Sequence, residues 1–293
     1  MRIFNEGNCV VIEGLREFDI KQTLECGQCF HFEKIDEKEY AVVHKKKFLK
    51  VKQIGNVLKC ENTSVEEFEN IWKHYFDLER DYKHIQDYLI VADERLSEAI
   101  KENSGVRILN QDFSETLMSF IISQNKQIPH IKTIVKNLSE KYGDYLGTIS
   151  GMDFYSFPDE IQLKEISEEQ YRECKTGFRA PYLFDAGTKI ASGDLKYEEL
   201  KNVGYDLAKE KLITVKGVGD KVANCVLLFA LGYRNAFPVD VWIKRIMEQM
   251  YFEGETNNLE IMKCAKDRFG DYGGYAQQYL FYYAREKKLG KKE

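Results

Sequence analysis

Proline, excess positive charge and long apolar runs are what this sequence has least of. Only 4 prolines occur in 293 residues, against 43% hydrophobic and 31% charged residues, which excludes a disordered or low-complexity chain. No stretch approaches the ~18 consecutive apolar residues of a membrane helix, and Met1 to Glu6 lacks the apolar core of a signal peptide; a soluble cytoplasmic protein without a membrane partner is expected. The 7 cysteines (Cys9, Cys26, Cys29, Cys60, Cys174, Cys225, Cys264) are odd in number and scattered, which argues for reduced thiols over a disulfide framework. Cys26 and Cys29 form a lone C-x-x-C without a second pair at zinc-ribbon spacing, so no metal site is expected. A net charge of -5 excludes the broad basic face of many nucleic-acid binders, and any DNA contact must be local.

At ~150 residues per domain the chain should hold about two domains. Up to residue 60, β-rich runs at Cys9 to Ile12, Phe30 to Phe32, Tyr40 to His44, Phe48 to Val51 and Val57 to Cys60 predict a small antiparallel sheet. Ser64 and Glu67 read as a capping box opening an amphipathic helix with Phe68, Ile71, Trp72 and Tyr75 on one face. Asp112 and Glu115 cap a second helix, which stops at the polar run Ser123 to Gln127. Pro129 starts a third, with Ile131, Ile134, Val135 and Leu138 buried, ending at Tyr142 and Gly143. Further helices are expected at Tyr182 to Ile190, Tyr205 to Leu212, Val222 to Leu231, Val241 to Met250, Leu259 to Phe269 and Tyr275 to Lys288. The fold class is α+β: an N-terminal β-rich domain with flanking helices over 1–105, then a mostly helical region over 106–293 that contains a loop at 236–240. The basic tail from Arg285 to Lys292 is expected to fray.

The densest signal is Leu212 to Cys225, where a helical segment turns through Gly217-Val218-Gly219 into a second apolar helix carrying Lys221. This reads as a helix-hairpin-helix, spanning about 205–231: the glycines permit positive φ and close backbone approach, leaving N–H groups at the helix start to meet a phosphate. Alone, Gly-Val-Gly is equally an ordinary tight turn. Downstream, Ala236-Phe237-Pro238-Val239-Asp240 puts Asp240 where it N-caps a helix with Ile243, Ile246, Met247 and Met250 on one face, and Lys221 and Asp240 then bracket a cleft.

The hairpin, the lysine and the Pro-Val-Asp resemble the helix-hairpin-helix DNA glycosylase superfamily. Gly105-Val106-Arg107, Ser119-Phe120-Ile121, Asn125, Gly177-Phe178-Arg179-Ala180 with Tyr182, and Ala276-Gln277 with Phe281 are similar, in order, to 8-oxoguanine DNA glycosylases over nearly the whole chain. The resemblance implies a bifunctional glycosylase and abasic-site lyase acting on double-stranded DNA that contains an oxidised purine, as a monomer and without a cofactor. Lys221 would be the nucleophile and Asp240 the stabiliser of a cationic transition state. A free amine requires about three pKa units, or ~4 kcal/mol, of preference for the neutral form, more than the ~0.3–1 kcal/mol a helix N-terminus supplies. Lys216 is the competing amine, but it precedes the turn.

For base recognition the family implies a sandwich between Cys225 and Phe281, an edge contact from Gln277, and a backbone acceptor at Gly27 for the N7 proton that distinguishes 8-oxoguanine from guanine. Read as residues alone, Cys225 and Phe281 are core, and Gly27 a strand-bulge glycine. Asn125 and Arg179 match the residues that fill the hole and hold the orphan cytosine. Phe178 replaces a tyrosine and keeps an apolar wedge; His130 stands where the family has an arginine, so weaker selection for cytosine opposite the lesion is expected; and Trp242 replaces a histidine that meets a phosphate. Gly217 and Gly219 would meet the DNA backbone. A cation on the hairpin carbonyls near Val215 and Val218 is implied by the superfamily only. The first rival is a glycosylase of the same superfamily acting on another lesion, pyrimidine damage or mispaired adenine; its iron–sulfur members carry four closely spaced cysteines after the catalytic aspartate, whereas only Cys264 follows Asp240. The rival of another class is a non-catalytic hairpin that grips DNA backbone.

Overall fold

A computed structural model describes residues 1–289. Its N-terminal part is a six-stranded antiparallel sheet of β1 (Arg2–Glu6), β2 (Cys9–Glu13), β3 (Phe32–Asp36), β4 (Glu39–His44), β5 (Lys47–Ile54) and β6 (Val57–Glu61), in the order β1-β2-β6-β5-β4-β3. Side-chain alternation sorts β4 cleanly. Tyr40 and Val42 face a core shared with Ile12, Leu24, Val51, Leu58, Phe68, Trp72 and Phe76, while Ala41 and Val43 face the other side. That second face is covered by a hairpin of β7 (Tyr145–Ile149) and β8 (Met152–Tyr155), with Phe48 and Phe154 stacked at 5.4 Å. The hairpin turns through Ser150 and Gly151, both at positive φ (53° and 76°), as a two-residue connection between twisted strands requires.

Several expectations need correction. The predicted strand Phe30 to Phe32 begins only at Phe32, because Phe30 leaves the sheet to join the helical core, edge-on to Phe120 at 5.5 Å. β1 and most of β3 are polar and lie at the two sheet edges, where one-sided burial leaves no apolar run to read. The Ser64 capping box is half formed: Ser64 Oγ accepts the Glu67 N–H at 3.1 Å, but the Glu67 carboxylate turns to Lys47 at 2.7 Å. The helical stretch that follows contains a wider π turn over Phe68–Trp72, with Phe68, Trp72 and Tyr75 buried.

The helices from Tyr82 onward enclose a second, larger core that also takes in Cys26 and Phe30. Those read from the sequence lie at Phe113–Ile122, Ile128–Tyr142, Ala180–Ser192, Tyr205–Ile213, Asp220–Phe229, Val241–Tyr251, Asn258–Phe269 and Gly273–Glu286. Helices at Ile20–Glu25, Tyr82–Ala92 and Ser97–Glu102 flank the sheet, as the sequence predicts without giving their bounds, and short helices at Glu160–Glu165 and Glu168–Glu173 are further elements beyond those it marks. The tail expected to fray from Arg285 is helical at its start, through Glu286, with Arg285 bonded to the Glu25 carbonyl, and its part beyond Leu289 falls outside the described residues. Among the described residues no helix is long and apolar enough to cross a membrane.

The two cores meet at Gly105-Val106-Arg107. Asp19 donates its N–H to the Gly105 carbonyl at 2.8 Å, and a Cβ on Gly105 would lie 2.4 Å from the Asp19 Cβ. Arg107 is buried and donates to the carbonyls of Arg16 (2.7 Å), Glu17 (3.0 Å), Asp77 (2.7 Å) and Arg80 (3.1 Å), with its guanidinium 4.3 Å from the Tyr82 ring centroid.

Candidate active site

The turn between the helices Tyr205–Ile213 and Asp220–Phe229 places Lys221 on the first turn of the second helix, pointing back toward the chain's middle. Of its two glycines, only Gly217 has positive φ (75°), and a Cβ there would lie 2.3 Å from the Tyr182 ring. Gly219 corrects the sequence expectation. It is extended (φ -106°) and a Cβ on it would meet open space, so neither conformation nor packing within the chain demands glycine there. Lys216 is exposed, its backbone N–H on Asp185 Oδ2 at 2.8 Å, and is not part of the cleft.

Lys221 Nζ donates to Ser123 Oγ at 3.1 Å and lies 5.0 Å from the Phe120 ring centroid. Asp240 N-caps the helix Val241–Tyr251, one carboxylate oxygen accepting the N–H groups of Trp242 at 3.0 Å and Ile243 at 2.9 Å. Burial pushes the Asp240 carboxyl above the usual carboxylate range, opposed by those two N–H groups and by the Lys221 charge. Cys225, one turn after Lys221, is buried, and burial holds its thiol up at about 11, hence uncharged at neutral pH.

These groups line one cleft of about 50 Å³ together with Gly27, Gln277 and Phe281. Six residues expected for catalysis and base recognition thus converge from four separate segments. Gln277 is buried and its Oε1 has no hydrogen-bond partner among the described residues. Gly27 has φ 86°, and a Cβ on it would lie 3.0 Å from Phe281 Cε1 and 3.0 Å from Arg285 Nη1. The neighbouring Gln28 anchors this turn, donating to the carbonyls of Thr23 (2.8 Å) and Arg107 (2.7 Å) and accepting from the Leu109 N–H (2.9 Å). Since ligand pockets typically run to ~300–1,000 Å³, a purine enters this cleft only as its side chains give way.

Phe120, Phe229, Pro238 and Gln278 complete the lining. Phe229 was legible as the next residue of the Lys221, Cys225 series on one helix face. Gln278 and the Lys221 contact to Ser123 were not, since both depend on how distant helices meet. The Cys26 and Cys29 thiols are buried and free, and Cys26 accepts from Gln28 Nε2 at 3.3 Å. Of the hairpin carbonyls, Val215 O accepts the Val218 N–H at 3.0 Å and Gly217 O accepts from Gln124 Nε2 at 3.1 Å.

Around the cleft mouth, the elbow between Phe113–Ile122 and Ile128–Tyr142 exposes Asn125, at φ 52°, and His130. Phe178 is 53% exposed, edge-on to Tyr182 at 6.3 Å. Arg179 differs from an open base contact. It is buried, donating to the Thr176 carbonyl at 3.2 Å and to the Gln124 carbonyl, with its guanidinium 4.2 Å from the Phe178 ring centroid, so in this conformation it braces the elbow. Trp242 is half-buried beside Arg245, 5.5 Å from its ring centroid.

A lysine and an aspartate at the mouth of a helix-hairpin-helix, over a cleft with stacking and edge-reading groups, define the site of a base-excising DNA repair enzyme. The chain belongs to the HhH-GPD superfamily of base excision DNA repair proteins, which matches residues 118–269, and carries the 8-oxoguanine DNA glycosylase N-terminal domain over residues 10–117. It is similar to the 8-oxoguanine glycosylase/lyase of Clostridium acetobutylicum bound to duplex DNA containing cytosine opposite 8-oxoG, with 38% identity, 99% of each chain covered and a TM-score of 0.95. A structure described as MBOgg1 with a low affinity DNA ligand matches at 41% identity over 98% of this chain and 99% of that one, with a TM-score of 0.94. A probable N-glycosylase/DNA lyase of Methanothermobacter thermautotrophicus is 29% identical across 78% of this chain and 77% of its own length.

Proposed function

We propose that this protein is a bifunctional 8-oxoguanine DNA glycosylase and abasic-site lyase in which Lys221 is the nucleophile. The observation that carries the reading is the convergence of Lys221, Cys225, Asp240, Gly27, Gln277 and Phe281 on one cleft. The neutral Lys221 amine attacks C1′ of the extruded nucleotide, forming an N–C1′ bond as the glycosidic bond breaks and its electron pair leaves with the base. Opening of the sugar ring gives a Schiff base, and loss of a C2′ proton then expels the 3′ phosphate. The ionised Asp240 faces the positive charge that develops on the sugar, in surroundings dry enough to strengthen the interaction.

Cys225 and Phe281 stack on the two faces of the base, Gln277 meets its edge, and the Gly27 carbonyl accepts the N7 proton. Asn125 and Phe178 enter the gap left by the base; Arg179 reaches the orphan base only by leaving the Gln124 carbonyl. Gly217 and Gly219 present backbone N–H groups to a phosphate, with His130 and Trp242 at the edges of the same surface. The protein acts as a monomer in the cytoplasm, associated with DNA, its 1–105 and 106–293 units joined at Arg107.

Borohydride trapping on a duplex with one 8-oxoguanine tests the reading. The parent protein should form a covalent adduct and release the base, and Lys221→Gln should lose the adduct while still binding the duplex. Binding without any adduct by the parent would overturn the enzymatic reading in favour of a backbone-gripping module.

A further inference from the structure

The recognition turn Glu25-Cys26-Gly27 belongs to the sheet-side segment, whereas Gln277 and Phe281 lie on the last long helix, Gly273–Glu286. Reading a base between them requires that the two be held in register. The same helix does this directly. Arg285 Nη2 donates to the Glu25 carbonyl at 2.6 Å, and Gln278 Nε2 donates to the Cys26 carbonyl at 3.2 Å. Arg285 also packs its guanidinium 5.6 Å from the Phe281 ring centroid and 5.0 Å from that of Tyr282.

We propose that Arg285 is a positioning residue for base recognition: it clamps the Gly27 turn to the helix that carries Gln277 and Phe281. Two observations carry this independently of each other. Arg285 bridges the two recognition segments, and its second nitrogen, Nη1, is buried without a hydrogen-bond partner, 3.0 Å from where a Gly27 Cβ would sit. A buried cationic donor left unpaired is costly; here it is held against the recognition glycine while the other nitrogen makes the clamp. No group of the sugar chemistry is involved. Arg285 lies outside the set of residues that line the cleft with Lys221 and Asp240, so its influence should reach base excision and leave strand cleavage at a pre-formed abasic site alone.

The inference rests on the functional reading above. Its test is single-turnover kinetics on two duplexes, one with 8-oxoguanine opposite cytosine and one with an abasic site, for the parent, Arg285→Met and Arg285→Lys. Loss of a charged donor from the half-buried Glu25 carbonyl should slow base release by about tenfold or more in Arg285→Met, with abasic-site cleavage within about twofold of the parent, and Arg285→Lys should recover part of the loss. Unchanged base release in Arg285→Met, or an equal fall in both activities, would overturn the clamp. A parent protein that releases no 8-oxoguanine would instead sink the functional reading, and this inference with it.

Discussion

At Asp240 one carboxylate oxygen caps a helix while, in the proposed mechanism, the charge serves the reaction, and asparagine separates the two roles because it caps equally well. Asp240→Asn should reduce base excision by roughly 100-fold, the scale of losing one preorganised electrostatic partner. Its effect on stability has the opposite sign. Burial raises the folded-state carboxyl above its unfolded value, so the stability linked to this group is complete below the unfolded value and is lost as pH rises through the folded one. At neutral pH the ionised aspartate therefore costs stability, and Asp240→Asn should melt at the same temperature as the parent or higher. Thermal melts at pH 7 and in acid check this: the gap should shrink in acid, and a variant less stable at pH 7 would contradict it.

Among the elements, the elbow between Phe113–Ile122 and Ile128–Tyr142 works as a unit. Gln124 ties it to the hairpin through the Gly217 carbonyl, Arg179 braces it from behind, and Ser123 at its inner end accepts from the Lys221 amine. One short turn thus couples the exposed tip at Asn125 to Lys221. At that tip His130 stands exposed in the first turn of its helix, too short for the two-pronged contact an arginine makes with a base. Excision rates opposite the four bases should therefore lie within about tenfold of one another, and His130→Arg should raise the preference for cytosine by about tenfold, within the ~1–3 kcal/mol of a bidentate base contact. A strong cytosine preference in the parent would refute this.

On the scale of the whole molecule, Arg107 ties the helical unit to the sheet unit: it opens the helical region, and its four carbonyl acceptors, on Arg16, Glu17, Asp77 and Arg80, all lie on the sheet side of the joint. Arg107→Met keeps the volume but strands those carbonyls. At ~1–3 kcal/mol for each unsatisfied buried group, the loss should be at least ~3 kcal/mol, lowering the melting temperature by roughly 6–12 °C. Excision measured well below the melting range should persist. A melting temperature within about 2 °C of the parent would show that the joint does not depend on the guanidinium.

The sequence alone determined whatever rests on local periodicity and turn chemistry: the main helices, the hairpin bearing Lys221, the cap at Asp240, and the series of Lys221 and Cys225 on one face. It left the polar edge strand β1 and all of β3 beyond Phe32 unread, because an edge half in water carries no apolar pattern, and it assigned both hairpin glycines a positive φ that only Gly217 has. Tertiary structure decided which distant groups meet: Ser123 with Lys221, Arg285 with the Glu25 carbonyl, and Arg179 turned inward onto the elbow. Such contacts depend on the packing angles of helices far apart in the chain, which are set by the whole core rather than by any stretch of residues within it.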